Sequence, residues 1–565
     1  MEDELDQDQD SDAGAAADTD LPTESGIRTE TSAPDATDVT AQEMPVSPLC
    51  LRDLCVVAGD RTLLDHVDAK FPEAKITVVV GGSGAGKSVL LRILAGLLPK
   101  HGESIHWSGS IGRSETESER PRVGIVFQQF ALFDELSATA NVQFAIDHRP
   151  KRSSRRMQPE PASWSAKAWL EHLGVPLKTA VANLSGGQKQ RLAIARTLAA
   201  APDVLLYDEP TSGLDSASGR LVADLIRETQ TTYHRTSIVV THDYETLLPI
   251  ADKVFLFDPQ KKDLVEIPRD DWDDIPNRMI PVSMLDDDSE RSVTKRESIM
   301  ARLTNPFFET TGGAISAAFW LPLDLLPIVP RVRWAGRFTL HYLRLVAGPS
   351  AWVYLVIAGL IVGFTSTYFT FRFLPFRLYT QPLLIDELLS SIGFALYRVL
   401  VPILATILVA ARCGAAVSAD VGVKQYGGQV DAMRTLGVAP RAYLLLPIVI
   451  AFVIGTPVLE TLAFYSAKFI SMVAFSASYP NVGPYFWEQH FGRNLTGESP
   501  WLNLGWKWVL LKNVICGLGT ATIAYYQGLA PKRSAGDVSR SITSTVLWTT
   551  LFVLTVHFAV ALLEF

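Results

Sequence analysis

Two kinds of hydrophobic pattern divide this chain. Between residues 48 and 260, short β-branched runs alternate with helical stretches; the runs are Ile76–Val80, Val123–Phe127, Val204–Tyr207 and Ser237–Val240. That alternation predicts a soluble α/β domain with parallel strands and helices packed on the sheet. From about Trp320 the apolar runs lengthen. Ala351–Phe371 holds no charged residue across a length that can span a bilayer, and Leu389–Ala411 is broken only by Arg398. Tyr443–Phe475, Trp508–Ala530 and Ser544–Leu563 complete the set. As a helix, Tyr443–Phe475 would be about 50 Å long against a hydrocarbon core of about 30 Å. It is too long for a simple crossing and too short for two with a turn. One long or broken crossing is expected, hence five spans. Upstream, Arg331–Val346 mixes Arg333, Arg337 and Arg344 with Trp334, Phe338, Leu340 and Leu345. This predicts an amphipathic helix lying at the interface before the first span.

Charge refines the division. The chain has 565 residues and a formal net charge of −9. Residues 1–45 carry fourteen Asp or Glu against the single base Arg28, a local net of −13. The remainder is about +4 by difference, near neutral for its size. The acidic head almost lacks large apolar residues and is expected to be disordered. Four segments result: an acidic tail at 1–47, an α/β domain at 48–260, a charged, Pro-containing linker at 261–325, and an all-α membrane domain at 326–565. Two further charged stretches, Arg113–Arg122 and His148–Arg156, are expected as solvated loops. The second contains Lys151, Arg152, Arg155 and Arg156.

No leader pattern is visible, so the N-terminus is expected to stay in the cytoplasm. Arg412, Lys424, Arg434 and Arg441 follow the second span, and Lys532, Arg533 and Arg540 precede the last. Both groups are expected in cytoplasmic loops by the positive-inside tendency, leaving the C-terminus outside. The segment Asp420–Leu436 is then the expected surface that receives motion from the soluble domain. Cys50, Cys55, Cys413 and Cys516 make no metal-binding spacing and are expected to be reduced. Neither half is basic or patterned enough for nucleic-acid binding. Glu460 and Lys468 fall inside the third span, where an ion pair, snorkelling or a transport role are all open.

The soluble half carries nucleotide chemistry. Gly81-Gly82-Ser83-Gly84-Ala85-Gly86-Lys87-Ser88 follows one predicted strand and opens a helical run. The glycines let backbone N–H groups close around phosphate, Lys87 supplies charge to the β- and γ-phosphates, and Ser88 offers a hydroxyl to Mg²⁺. Asp208-Glu209 ends the strand Val204–Tyr207. There an Asp can hold Mg²⁺, and the adjacent Glu can polarise the attacking water. Between these elements lies Leu184-Ser185-Gly186-Gly187-Gln188.

With that pentapeptide, residues 48–260 resemble an ABC transporter nucleotide-binding domain. The resemblance implies ATP and Mg²⁺ as ligands. It makes Gln128 the Q-loop glutamine, which would also approach the metal, and Asp215 the D-loop residue of Ser212-Gly213-Leu214-Asp215. It makes His242 the switch histidine, and Glu209, His242 and Gln128 the catalytic group. Ser185, Gly186, Gly187 and Gln188 of one copy would complete the phosphate site of another. One set of motifs per chain therefore implies a homodimer. Ala58 stands where the family usually has an aromatic that stacks on adenine.

The membrane half resembles the permeases of Mla-type lipid transporters, the partners of MCE-domain proteins. The likeness is carried by Ala410-Ala411-Arg412-Cys413-Gly414-Ala415-Ala416-Val417-Ser418-Ala419-Asp420-Val421-Gly422, by Gln429–Tyr443, and by Ser534–Arg540. It departs from the family at Arg398-Val399, where an Arg-Glu pair is common, at Asp420, where Glu is usual, and at Gly428, which replaces another acid. The resemblance implies ATP-driven movement of membrane lipids, phospholipid in particular, at the inner (cytoplasmic) membrane with the ATPase on the cytoplasmic side. It also implies a separate MCE-domain partner. An ABC exporter of another hydrophobic substrate or drug, and a membrane-bound ABC ATPase that does not transport, are the alternatives.

Overall fold

The computed structural model describes residues 49–565 apart from 103–104, 113–120, 150–163, 280–330, 374–376, 498–502 and 533. The acidic tail, most of the linker, and the Lys151–Arg156 cluster lie outside the described residues.

Among the described residues, nine strands form two sheets. Strands β1 (Leu49–Ala58), β2 (Arg61–Phe71) and β4 (Ile105–Gly112) make a small antiparallel sheet in the order β2-β1-β4. The larger sheet has the order β5-β6-β7-β3-β8-β9. Its members are β3 (Ile76–Val80), β5 (Val123–Val126), β6 (Val204–Asp208), β7 (Thr236–Thr241), β8 (Lys253–Asp258) and β9 (Asp263–Ile267). The first five are parallel, and β9 returns antiparallel on β8. β3 and β6 are buried along their whole length, as expected of strands covered by helices on both faces.

The helices are α1 (Lys87–Leu94), which starts from the left-handed Gly86, and α2 (Ala138–Asp147), α3 (Ala166–His172), α4 (Gly186–Ala199) and α5 (Ser216–Tyr233), which begin where their sequences provide side-chain caps. Ser137, Ser165, Ser185 and Asp215 each accept a backbone N–H of the first turn of α2, α3, α4 and α5 respectively.

The expected linker does not start at 261. Residues 263–267 form β9, with Leu256 opposite Val265, and the chain then packs Ile275 fully into the same core. Only Leu264 and Ile267 of β9 are buried. Such a short apolar face among charged residues leaves little periodicity to read.

Five helices among the described residues are long and apolar enough to cross a membrane: Val332–Arg372, Leu384–Tyr426, Pro440–Ser478, Trp506–Leu529 and Ala535–Glu564. The first is bent at Gly348 into Val332–Val346 and Pro349–Arg372. The third has a short helix, Pro440–Tyr443, and then the long helix Leu445–Ser478 with Pro457 inside it. Gly359 and Gly363 of the first span let it approach that helix closely. A Cβ at either glycine would lie 2.3 Å from a carbonyl oxygen, of Ala463 or Ala467 respectively. Small residues four apart are a common contact between helices in lipid.

Two expectations change here. Arg412 and Lys424 were placed in a loop, but the second span runs on as helix to Tyr426, with π-type turns at Leu396–Leu400 and Ala410–Gly414. Cys413, Val417 and Val421 recur every fourth residue and are buried. Lys424 donates to Asp420 one turn back at 2.6 Å, so charge does not end the helix. The amphipathic helix Val332–Val346 also differs. Its buried stripe of Trp334, Phe338, Tyr342 and Val346 faces protein, while Leu340 is exposed. Trp334 and Phe338 pack against Phe144 of α2.

Candidate nucleotide site and its link to the permease

The sheet order places four short loops side by side. Lys87 and Ser88 follow β3, Gln128 follows β5, Asp208 ends β6 with Glu209 next, and His242 follows β7. These four strands are parallel and adjacent, so their C-terminal ends share one edge, where open α/β sheets bind ligands.

The loop Gly81–Gly86 needs its glycines at particular points. Gly86 has φ 109° and a Cβ there would lie 3.0 Å from the Leu63 side chain; Gly84 has φ 78°. Lys87 Nζ donates to the carbonyls of Gly81 at 2.8 Å and Gly82 at 2.9 Å, so the loop wraps its own lysine. Burial pushes the Lys87 ammonium pKa down, opposed by the nearby carboxylates of Glu209 and Asp208. Ser88 Oγ donates to Asp208 Oδ1 at 3.0 Å. Burial raises the Asp208 carboxyl pKa, and that hydrogen bond works against the shift.

Glu209 leaves the strand with φ 48°, a left-handed conformation uncommon for a non-glycine residue. Its N–H donates to Val240 O at 2.9 Å, which ties it to β7. Its two carboxylate oxygens are both met: Gln128 Nε2 donates to Oε2 at 2.9 Å, and His242 Nδ1 lies 3.1 Å from Oε1. Gln128 Nε2 also reaches Ser212 Oγ at 3.3 Å. The structure thus brings Lys87, Ser88, Gln128, Asp208, Glu209 and His242 into one cluster. Ser212 joins it as a contact that the motifs alone did not assign.

The Ser185–Gln188 turn is built differently. Ser185 Oγ accepts from Gln188 N, and Gln188 Oε1 accepts from Ser185 N at 3.0 Å, a reciprocal cap that exposes the start of α4. Asp215 caps α5, and the Ser218 hydrogen bonds hold its carboxyl below the usual range. Among the described residues no hydrogen bond or ion pair joins Ser185, Gly186, Gly187, Gln188 or Asp215 to the Lys87–Glu209 cluster.

The cluster connects to the membrane half through Phe127, next to Gln128. After Tyr426 the chain turns at Gly427 and Gly428 into a short helix, Gln429–Thr435. Gly428 has φ 72°, and its Cβ position faces Ala131 and Phe127 at 3.5 and 3.6 Å. Gln429 donates to Asp134 at 3.1 Å, and Lys424 lies 3.9 Å from Glu135. A second junction involves the end of α2. Asp147 accepts from Trp334 Nε1 at 2.8 Å, and His148 Nε2 lies 2.7 Å from the Tyr443 hydroxyl. No motif assigned a contact to Asp134, Asp147, His148 or Tyr443, although Tyr443 ends one of the permease-like runs; each meets its partner only in the packed chain.

A phosphate loop, a carboxylate pair, a glutamine and a histidine on adjacent strands, with a capped Ser-Gly-Gly-Gln helix, define an ATPase of the ATP-binding-cassette class joined to a membrane domain. Residues 64–212 match the ABC transporter family model, and residues 344–563 match that of the permease MlaE. The chain is 34% identical over 220 residues to the intermembrane phospholipid transport system ATP-binding protein MlaF of Haemophilus influenzae, covering 37% of this chain and 80% of that one. It is 36% identical over 214 residues to the sulfate/thiosulfate import ATP-binding protein CysA 1 of Chromobacterium violaceum, covering 37% and 58%. Among solved structures, the dimeric ATP-binding cassette MJ0796 bound to ADP and Pi is 26% identical with a TM-score of 0.32, covering 39% of this chain and 97% of that one. The chain belongs to the ABC transporter family, with an MlaF-like ATPase and an MlaE permease on one polypeptide. It is an ATP-binding ATP hydrolase and a multi-pass membrane protein.

Proposed function

We propose that this protein uses ATP hydrolysis to move phospholipid, working as a homodimer in the inner membrane with its ATPase in the cytoplasm and an MCE-domain protein as partner. The observation that carries the reading is the union of an MlaF-like ATPase with an MlaE permease, packed together at Phe127–Gly428 and His148–Tyr443. The likeness to a sulfate importer covers only the ATPase half, and the MlaE match outweighs it. The same match disfavours a drug exporter, and a joined permease disfavours an ATPase that does not transport.

In this reading Gly81–Ser88 cradle the phosphates, and Lys87 exchanges its loop carbonyls for phosphate oxygens. Ser88 Oγ and Asp208 Oδ1 lie side by side and offer the hard oxygen donors that Mg²⁺ takes, with Gln128 close by through Glu209. The ion, when bound, neutralises phosphate charge. Glu209 takes the proton of the attacking water, and His242 fixes the orientation of its carboxylate. The Ser185–Gln188 turn of a second copy closes the site with the N-terminus of α4, and Asp215 lies at that seam. Closure moves Gln128 and Phe127, and Gly428 passes the movement to the second span.

The test is purification of the full-length protein in nanodiscs, lipid identification by mass spectrometry, and transfer assays between labelled liposomes. ATP-dependent phospholipid transfer is the expected result. A protein that binds no lipid, and whose ATPase rate ignores lipid, would end the assignment.

A further inference from the structure

The membrane half contains a cavity that the ATPase does not explain. It has a volume of about 230 Å³ and lies between the second, third and fourth spans. Tyr397, Phe464, Tyr465 and Trp506 supply its aromatic walls, and Glu460 and Asn513 line it as well. Trp506 opens the fourth span, and Asn513 lies two turns further in, about 10 Å along the helix axis. The cavity is smaller than the roughly 300–1,000 Å³ of pockets for drug-sized ligands. It has room for a headgroup, with acyl chains left outside.

Its polar residues are incompletely satisfied. Glu460 is 3% exposed and Asn513 is 1% exposed. Asn513 Nδ2 donates to Glu460 Oε2 at a long 3.4 Å. Glu460 Oε1 and Asn513 Oδ1 have no partner. Both orphaned atoms are acceptors, so the pair lacks donors. A carboxylate kept in a membrane with one oxygen unpartnered and no cation beside it is costly, and such residues mark substrate paths.

The cations nearby are engaged elsewhere. Lys512 donates to Glu564 and, at 3.0 Å, to the carbonyl of Arg398. Arg398 Nε donates to the same Glu564 at 2.6 Å, and its guanidinium lies over the rings of Phe394 and Phe565. No ion pair joins Lys468 to Glu460 among the described residues, which removes the intraspan pair considered from sequence.

We infer that the Glu460–Asn513 cavity receives the primary ammonium of a lipid headgroup. An ammonium brings three donors and a positive charge to two buried acceptors, and aromatic faces attract cations. A glycerol headgroup lacks the charge, and a choline headgroup keeps the charge but has no N–H to donate to the two orphaned acceptors. The inference rests on the lipid reading and narrows it to aminophospholipids.

The experiment uses the full-length protein in detergent micelles doped with equal amounts of phosphatidylethanolamine, phosphatidylcholine and phosphatidylglycerol, with bound lipid counted by native mass spectrometry. The wild type is expected to retain phosphatidylethanolamine at least 10-fold over each of the others. Glu460→Gln, which keeps shape and removes charge, should bring that preference below about 3-fold while total bound lipid persists. Asn513→Leu provides a second variant and should reduce the preference in the same direction. Wild-type binding of all three lipids equally would overturn this inference and leave the lipid reading intact. A preference unchanged in both variants would overturn it too, and no bound lipid at all would sink the lipid reading itself.

Discussion

The Tyr443 hydroxyl sits between the Arg331 N–H, 3.0 Å away, and His148 Nε2, 2.7 Å away, bridging the permease to the end of α2. The hydroxyl has one proton. The Phe144 carbonyl can only accept, so His148 Nδ1 carries a proton and donates to it at 2.8 Å; burial disfavours a second ring proton, so Nε2 accepts the Tyr443 proton. The junction therefore holds a neutral histidine of one tautomer.

That assignment predicts a pH dependence. Burial lowers the His148 pKa below its ordinary 6.5, with Arg331 adding to the shift, while the Phe144 carbonyl and Asp147 oppose it. The unfolded chain then binds the proton more readily than the folded one, so stability rises with pH through this window. The contribution is complete above pH 6.5 and is lost as pH falls through the lowered value. Thermal melting of the full-length protein between pH 8 and pH 5 should show a decline on the acid side. His148→Gln should flatten that part of the profile; an unchanged profile would remove His148 from the junction.

Tyr443→Phe deletes both hydrogen bonds and keeps the ring packed on Phe144 and Phe338. Each bond contributes about 0.5–1.5 kcal/mol. ATPase activity in detergent should stay within about 2-fold, while lipid-stimulated activity falls several-fold as the halves lose registration. Equal losses in both assays would point to a folding defect.

Gly428→Val tests the other contact. A β-branched residue at φ 72° costs about 1–2 kcal/mol. The strain falls where the second span meets Phe127, so ATP binding should survive while transport per ATP hydrolysed drops. The ratio of lipid transferred to phosphate released is the quantity to measure.

Glu209→Gln should retain ATP and lower hydrolysis at least ~100-fold, the usual effect of losing a general base. Lys87→Ala should instead weaken nucleotide binding, read by equilibrium titration. Near-normal turnover in the first variant would take Glu209 out of the catalytic role.

Mixing Lys87→Ala chains with Ser185→Arg chains tests the homodimer. One of the two shared sites would then contain an intact Lys87 and an intact Ser185. Trapped nucleotide should appear in the mixture at about half the wild-type level in mixed dimers, and in neither variant alone. Mixed dimers that trap none would contradict the head-to-tail arrangement.

The sequence alone determined the parts whose physics is local. Apolar length marked five membrane helices, and glycine spacing around Lys87 marked a phosphate loop, because both depend on a few neighbouring residues. The Asp208-Glu209 pair was legible for the same reason, and the Leu184–Gln188 pentapeptide through its resemblance to a family motif; that Ser185 and Gln188 cap α4 came from the structure. Residues 263–279 were misplaced because β9 buries only two apolar side chains, too few to set a period. The helix through Arg412 and Lys424 is not legible because its charges meet partners that a linear reading does not register: Lys424 meets Asp420 and, at 3.9 Å, Glu135 of the ATPase, and Arg412 donates to the Ser350 hydroxyl. Tertiary structure decided that Gln128 and His242 hold opposite oxygens of Glu209, since the parallel order β5-β6-β7 brings together loops that lie 81 and 33 positions from Glu209 in the chain. It also decided the junction. His148 and Tyr443 are 295 residues apart, and a hydrogen bond between them exists only where the ATPase and permease surfaces pack against each other.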